Sequence, residues 1–170
     1  MLDGNSPECY LRRVTSLEDF DEYFSIKSEP GAVAWSGFSH APDKESLCAH
    51  FKKLISDPNV YMYFYCDATV CEVIGYVQLN AENDSIINWA GYSFKRNFQG
   101  KAYNRRFTML LLQTVRALGF KKITGWISEK NYASIRWNTG FGSVKTDQSK
   151  TMYLHALGRE DIFYLYELVL

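Results

Sequence analysis

The sequence of 170 residues carries no net charge, because 19 lysine and arginine residues balance 19 aspartate and glutamate residues. Without an overall basic field, the protein has no general attraction to nucleic acid. It also contains no apolar run near the roughly 18 residues that a membrane helix needs. The first residues, Met1 to Glu8, have neither the basic nor the apolar segment of a signal peptide. We therefore expect no nucleic-acid partner and no membrane association.

Cysteine and histidine are few and scattered. The four cysteines, at positions 9, 48, 66 and 71, form no Cys-x-x-Cys pair, and none of the three histidines joins them in a cluster. We therefore predict no metal site, free thiols in a reducing compartment and a cytoplasmic location. A Cys66–Cys71 bridge across a hairpin is the alternative.

Apolar and aromatic side chains are abundant, at 46% and 16% of residues, which is enough for a folded core. The sequence shows no repeat, no low-complexity segment and no linker. We therefore predict a single domain over residues 1–170.

Hydrophobic periodicity changes along the chain from helical spacing to strand spacing and back. The predicted helices are Leu17–Lys27, Asp43–Ile55, Tyr103–Leu118 and Asn131–Thr139, with Ala32–Ala41 as a loop. The predicted strands are Tyr10–Val14, Val60–Cys66, Val70–Leu79, Ile86–Phe94, Lys122–Ser128, Ser143–Tyr153 and Ile162–Leu170. This order predicts an α/β (α+β) fold with a mixed, mostly antiparallel sheet of about seven strands and one parallel crossover.

The most informative segment, Gly91–Ala102, joins a strand to a helix through a turn that contains small residues. The helix that begins at Tyr103 presents unpaired backbone N–H groups, and Gly100 and Ala102 would let a phosphate approach them. Local positive charge comes from Arg96, Lys101, Arg105 and Arg106. The pattern predicts a cradle for a pyrophosphate, although an ordinary strand-to-helix turn with a solvated basic face is the alternative. The spacing of the P-loop and of the dinucleotide fingerprint is absent.

Two motifs resemble those of the GNAT superfamily of N-acetyltransferases. Gly91–Ala102 is similar to their acetyl-CoA motif, in which a Gln/Arg-x-x-Gly-x-Gly/Ala turn opens the main helix. Asn131–Arg136 is similar to their second signature, which a Gly-Phe pair or its equivalent follows, here near Gly140–Gly142. With the element order, the resemblance covers Val60–Val144. It is nearest to the branch of ribosomal-protein and amino-sugar N-acetyltransferases.

The resemblance implies a GNAT fold with helices on both faces of the sheet and acetyl-CoA as co-substrate. The strands Ile86–Phe94 and Lys122–Ser128 would splay apart around the pantetheine arm, and N–H groups from Gln99 through Asn104 would hold the pyrophosphate. The thioester would lie near Tyr92–Phe94, and the amine would attack it directly. The residues implied to bind acetyl-CoA are Phe94, Arg96, Gln99, Gly100, Lys101, Ala102, Tyr103, Asn104, Asn131 and Ser134.

The strand Ile86–Phe94 contains no carboxylate, although many relatives have a glutamate about two residues before the Gly-Tyr pair that takes a proton from the amine. Asn88 and Trp89 occupy that stretch. The proton would then leave through ordered water, or a carboxylate from elsewhere would reach the site. The carboxylates considered are Glu82, Asp84 and Glu29.

The tyrosine that protonates the departing thiolate in many relatives is also missing from its usual place. A gapless match puts Asn138 there, whereas a match two residues shorter puts Arg136 or Trp137 there. Tyr92 or Tyr132 would then act as the acid. The candidate catalytic residues are Asn88, Tyr92 and Asn138.

The segment between the first two helices covers the acceptor site in this family. Glu29, Trp35 and Phe38 are therefore candidate substrate-binding residues, and packing of the two rings against the core is the alternative. The expected partner is a small-molecule or peptide amine, and the expected oligomeric state is a monomer or a homodimer.

These residues are compatible with three functions. The favoured one is an acetyl-CoA-dependent N-acetyltransferase that acts on a primary amine. A non-catalytic acyl-CoA sensor of the same fold would explain the missing carboxylate and tyrosine. A nucleic-acid module would use the basic and aromatic residues between Lys95 and Arg106, but the zero net charge disfavours it.

Overall fold

The computed structural model of the protein describes residues 9–99 and 103–170. Its strands are β1 (Cys9–Arg13), β2 (Val60–Asp67), β3 (Glu72–Ala81), β4 (Ile86–Phe94), β5 (Lys122–Ser128), β6 (Val144–Leu154) and β7 (Arg159–Val169). Its α-helices are α1 (Phe20–Lys27), α2 (Pro30–Ser36), α3 (Lys44–Ser56), α4 (Tyr103–Ala117) and α5 (Tyr132–Gly140). Short 3-10 helices lie at Leu17–Asp19, Arg96–Phe98 and His155–Leu157.

The strands form one sheet of seven in the order β1-β2-β3-β4-β5-β7-β6. Every neighbouring pair is antiparallel except β4 and β5, which are parallel and are joined by the crossover through α4. A parallel pair needs such a long connection because a short turn can only reverse the chain. The predicted mixed sheet with one parallel crossover is confirmed.

Helices cover both faces of the sheet and give it two cores. On one face α4 buries Phe107, Leu111 and Val115, which recur every four residues and contact the sheet. On the other face α1 and α3 pack together, with Tyr23 and Phe51 almost completely buried against β2 and β3. The strand order places β4 in the middle of the sheet, between the two cores.

The predicted loop at 32–41 is partly wrong, because the structure has the helix α2 at Pro30–Ser36. Pro30 stands in the first turn of α2, where its missing N–H has no helical partner to lose. Gly37 ends the helix in the left-handed conformation, with a φ of 81°. The segment Glu29-Pro30-Gly31 therefore ends one helix and also begins the next.

The predicted hairpin between β2 and β3 is confirmed, with its turn at residues 68–71. Cys71 has a positive φ of 54°, which accounts for the start of β3 at Glu72 rather than at Val70. All four cysteines are free, so no bridge joins Cys66 to Cys71. In the described ranges no helix combines the length and the apolar character needed to cross a membrane.

Candidate active site

The two central parallel strands separate along most of their length. Residues 86–88 of β4 pair with residues 122–124 of β5, and the ladder between these strands stops there. Beyond it, β4 continues on β3 and β5 continues on β7. We call the gap between residues 89–94 and 125–128 the fork. Backbone groups along its edges have no partner in the β4–β5 ladder, so an extended arm with amide groups can bind there.

A β-bulge at Ala90 determines which side chains line the fork. Successive residues of β3 pair with Trp89 and Gly91, so Ala90 is an extra residue in β4. Trp89 before the bulge and Tyr92 after it therefore both pack toward α4. On the opposite face, a Cβ placed on Gly91 would lie 3.5 Å from the Tyr76 hydroxyl.

Hydrogen bonds connect Tyr92 on β4 to the helix α5 that follows β5. The side-chain amide of Asn138 donates to the Ser134 carbonyl at 2.8 Å and to the Ser134 hydroxyl at 3.3 Å. The Ser134 hydroxyl is in turn hydrogen-bonded to Tyr92. Burial raises the pKa of Tyr92 and the bond with Ser134 opposes that rise, as expected when Ser134 donates to the phenolic oxygen. The proton of Tyr92 is then held at neutral pH and is available to another acceptor.

Asn131 stabilises the start of α5. Its side-chain oxygen accepts a hydrogen bond from the Ser134 N–H at 3.1 Å, which makes Asn131 the N-cap of the helix. The two residues that the resemblance assigns to the pantetheine arm are therefore in contact. The cap fixes Ser134 at the position from which it reaches Tyr92.

Asn88 lies apart from this chain of hydrogen bonds, because its neighbour Ile87 faces the α4 core and strand residues alternate between faces. The Asn88 amide donates to the Thr124 hydroxyl at 3.0 Å, and that hydroxyl donates to the Glu82 carboxylate at 3.0 Å. Thr124 is only 4% exposed. Of the three candidate carboxylates, Glu82 is thus the one linked to Asn88.

The turn after β4 is held by two side chains. The Glu29 carboxylate accepts a hydrogen bond from the Arg96 N–H at 2.8 Å, and the Gln99 side-chain amide donates to the Phe94 carbonyl at 3.0 Å. A Cβ on Gly31 would lie 3.6 Å from the Gln99 side-chain nitrogen, so the start of α2 contacts this turn. The Gln99 backbone N–H donates to the Arg96 carbonyl at 3.3 Å. The first of the amides expected to hold a pyrophosphate is therefore already engaged within the chain.

The start of α4 forms the far end of the turn. Tyr103 and Asn104 are its first two described residues, and the first four N–H groups of an α-helix have no acceptor inside the helix. The Tyr103 hydroxyl is hydrogen-bonded to Asp67 of β2, which fixes this end of α4 to the sheet. Three predicted binding residues lie outside the described residues: Gly100, Lys101 and Ala102.

Trp35 on α2 and Phe38 just after that helix lie near the turn that joins β6 to β7. The Arg159 guanidinium lies 6.0 Å from the centre of the Trp35 ring, and the Phe38 carbonyl accepts a hydrogen bond from the Ala156 N–H at 3.1 Å. The Phe38 ring also lies 5.3 Å from the Lys27 ammonium. These contacts hold the segment against the α1 side of the sheet, the side on which Asn88 lies.

The fork has the polar groups that an arm of acetyl-CoA would need. A cavity beside it, between α4 and α5, is lined by Trp89, Gly125 and Asn138, among others. The indole N–H of Trp89 and the side-chain oxygen of Asn104 are buried and have no hydrogen-bond partner within the described part of the chain. Buried polar atoms normally have a partner, so these two are available to a polar ligand. The residues present therefore fit acetyl-CoA.

A buried carboxylate on β7 fixes the end of β5 at the open end of the fork. Asp161, whose side chain is 0% exposed, accepts hydrogen bonds from the Ser128 hydroxyl at 2.6 Å and from Lys130 and Arg159, both at 2.9 Å. Burial raises the pKa of Asp161, but the bonds from Ser128, Lys130 and Arg159 outweigh it and lower the pKa to about 2. The carboxylate thus stabilises the open end of the fork.

We expect Asp161→Ala to lower the free energy of unfolding by about 2–4 kcal/mol at pH 7, because two cations and a buried hydroxyl lose their acceptor. A carboxyl whose pKa is lowered on folding stabilises the protein above its usual pKa of 3.8 and loses that effect as the pH falls through about 2. The difference in free energy of unfolding between Asp161→Ala and the parent protein should therefore become smaller from pH 4 toward pH 2. Urea unfolding at each pH measures this difference. Asp147→Ala, at an exposed position on β6, is the control, and an equal loss there would contradict the assignment.

No sequence pattern indicates the role of Thr124 in the candidate site or the position of Lys27 beside Phe38. Thr124 lies inside a predicted strand, and nothing in the sequence distinguishes its hydroxyl from any other strand threonine. Lys27 ends a predicted amphipathic helix, where a lysine normally lies in solvent. Its position beside Phe38 follows only from the packing of α1 against the segment after α2.

Comparison with known families gives one match over most of the chain. The model for the acetyltransferase (GNAT) domain matches residues 9–142. No curated protein matches the chain. The family match spans β1 through α5 and therefore includes the fork, the turn after β4 and the start of α4.

Solved structures with the same fold share little sequence with this chain. Spermidine N-acetyltransferase from Vibrio cholerae, in complex with CoA and spermine, superposes with a TM-score of 0.81 at 16% identity and 95% coverage of both chains. A candidate phosphinothricin N-acetyltransferase gives 0.78 at 12% identity, with 95% of this chain and 98% of that one covered. A candidate acetyltransferase from Salmonella typhimurium, solved with acetyl-CoA, gives 0.70 at 16% identity, covering 95% and 93%.

Proposed function

Because the chain belongs to the GNAT acetyltransferase family, we propose that its fork binds acetyl-CoA and that a small primary amine attacks the thioester directly in a ternary complex. The protein is an acetyl-CoA-dependent N-acetyltransferase. The observation that carries the proposed site is the separation of β4 from β5 after three residue pairs. It leaves unpaired backbone edges beside the turn and the start of α4.

The chain would bind acetyl-CoA through backbone groups along the fork and at the start of α4. The edges of residues 89–94 and 125–128 would bind the amides of the pantetheine arm as a neighbouring strand would. The first N–H groups of α4 would face the pyrophosphate, where the helix dipole favours negative charge. Arg96, at the exposed turn, would add a positive charge. Two structural neighbours that contain CoA or acetyl-CoA support this use of the fold.

Tyr92 is the proposed acid for the departing thiolate. As the amine nitrogen bonds to the thioester carbon, the carbon–sulfur bond breaks and the sulfur takes the phenolic proton. The bond from Ser134 would stabilise the phenolate that remains, until a proton from solvent restores the phenol. Asn138 donates to Ser134 and would act as a positioning residue. Tyr132, the alternative acid, is 68% exposed.

Glu82 is the proposed acceptor of the amine proton. Its carboxylate accepts from Thr124, whose hydroxyl also accepts from Asn88, at the base of the fork. A hydroxyl in that position can pass a proton to the carboxylate as it takes one from the amine. Asn88 would then orient Thr124 in place of acting as the base itself.

The acceptor would approach from the face opposite α4. Trp35 and Phe38 lie on that side, whereas the Glu29 carboxylate is bound to the Arg96 N–H at the turn. A small amine as acceptor is supported by the spermine bound in the Vibrio cholerae neighbour.

We also propose a single domain over residues 1–170, a cytoplasmic location and a monomer or homodimer. The free cysteines support a reducing compartment.

Acetyl-CoA should raise the melting temperature of the protein, because a ligand that binds only the folded state stabilises it by about 2.7 kcal/mol at a hundred times its dissociation constant. The measurement is thermal unfolding at increasing concentrations of acetyl-CoA. Desulfo-CoA, which keeps the pyrophosphate and the pantetheine amides but has no acetyl thioester, is the comparison ligand and shows how much of the shift the thioester contributes. Release of free CoA in the presence of primary amines then separates an enzyme from an acyl-CoA sensor. A protein whose melting temperature does not move at millimolar acetyl-CoA does not bind it as proposed.

A further inference from the structure

One cation on the acceptor face has no role in the mechanism above. Lys27 ends α1, and its ammonium lies 5.3 Å from the centre of the Phe38 ring and 5.7 Å from that of Tyr76. It forms no ion pair within residues 9–99 and 103–170, unlike Lys44 and Lys95, which pair with carboxylates of α1. An ammonium between two rings is attracted to their faces but keeps its charge uncompensated.

Lys27 lies next to the fork. The Tyr76 ring is 4% exposed, and its hydroxyl lies 3.5 Å from the place that a Cβ on Gly91 would occupy. Gly91 follows the bulge in β4 and belongs to the part of that strand that does not pair with β5. A single aromatic ring therefore separates the ammonium from the edge of the fork, on the face from which the acceptor would enter.

The surroundings of Lys27 are aromatic and positive. Burial lowers its pKa to about 8, since water is largely removed from the ammonium. His50 on α3 has a pKa lowered first by its own burial and then by the charges of Lys27 and Lys53. The carboxylate of Glu29, the predicted acidic acceptor contact, is engaged by the Arg96 N–H. A partly buried positive charge in this setting lacks a counterion, and an anion from a ligand would supply one.

We propose that Lys27 binds a carboxylate of the acceptor, so that this enzyme prefers primary amines that also carry a carboxylate over polyamines. The inference rests on the proposed function, because it assigns the acceptor class of the same site. A carboxylate beside Lys27 would restore its full charge, and the ring of Phe38 would cover the pair. A second ammonium at the same place, as in a polyamine, would be repelled by Lys27.

Matched pairs of acceptors test the assignment, each pair consisting of an amino acid and its decarboxylated amine, such as phenylalanine with phenethylamine. We expect the parent enzyme to favour the carboxylate member at least about tenfold in kcat/KM, mostly through KM. Lys27→Met should abolish that preference and leave kcat for the plain amine nearly unchanged. Lys27→Arg should keep part of it. Comparing each variant with the parent removes the effect of the different amine pKa values within a pair.

Lys44→Met, on the exposed start of α3, is the matched control and should keep the preference of the parent. Equal kcat/KM for both members in the parent, or an unchanged preference in Lys27→Met, overturns the inference. Acetylation of spermidine in the absence of any acetylation of the carboxylate amines also overturns it and leaves the proposed function standing. A protein that binds acetyl-CoA and acetylates none of these amines contradicts the proposed amine transfer and the role of Lys27 together.

Discussion

Tyr92→Phe should lower kcat about a hundredfold and leave the stabilisation by acetyl-CoA almost unchanged. General acid catalysis by a positioned side chain typically contributes 10²- to 10⁴-fold, and the substitution removes the proton donor without removing the ring. Trp89 and Phe94 pack on that ring at centre distances of 5.4 and 6.4 Å, so the fold of β4 should tolerate the change. Steady-state kinetics with thiol detection, beside thermal unfolding with acetyl-CoA, measures both effects.

Tyr132→Phe is the matched control, because Tyr132 stands on the same helix as Ser134 and is exposed. It should retain the parent kcat. Ser134→Ala is informative in another way, since it removes the donor to the phenolic oxygen and leaves the phenol in place. We expect a smaller loss of kcat there. If Tyr132→Phe is the slower of the two tyrosine variants, the acid has been assigned to the wrong residue.

Gly75→Ala should lower the free energy of unfolding by about 3 kcal/mol. A Cβ at this position would lie 2.5 Å from the carbonyl oxygen of Ser93, closer than real contacts allow, and 3.1 Å from the Phe94 ring. Both partners belong to β4, and one contact is with backbone, so no side-chain rotation relieves the clash. The strand that forms one arm of the fork must therefore shift, and binding of acetyl-CoA should weaken as well.

Urea unfolding and acetyl-CoA titration of Gly75→Ala measure the two effects. Gly140→Ala is the control, because a Cβ there has nothing within 4 Å. Its free energy of unfolding should stay within about 0.5 kcal/mol of the parent. A stable Gly75→Ala protein with full acetyl-CoA binding would show that β3 and β4 are less tightly packed beside the fork than the structure indicates.

The elements beside the site could be predicted well from the sequence. The bounds of β4 and β5 were predicted residue for residue, because each is an apolar run bounded by polar or glycine-containing turns. The family motifs also made Tyr92, Ser134 and Asn138 candidates, and their roles stay predictions. Their connection by hydrogen bonds was not predictable, since about 40 residues separate β4 from α5 and only the closed sheet brings them together.

Other features depend on tertiary packing that no local pattern reports. The helix α2 was missed because Pro30 and Gly31 usually interrupt a helix, whereas here Pro30 begins one. The bulge at Ala90 reverses the direction of every later side chain in β4, and alternation alone gives no sign of it. The contact between Glu29 and the Arg96 N–H likewise joins segments that are distant in sequence.

The brief ladder between β4 and β5 divides the sheet into two blocks, one of four strands and one of three. Only three rungs join these blocks through the sheet itself, and elsewhere they depend on the crossover helix and on side-chain packing. The pantetheine arm, bound along the gap, would act as an inserted strand that hydrogen-bonds to both blocks. Substrate binding would then help to hold the two blocks together. Without substrate, we expect the two blocks to move relative to each other along the gap between β4 and β5.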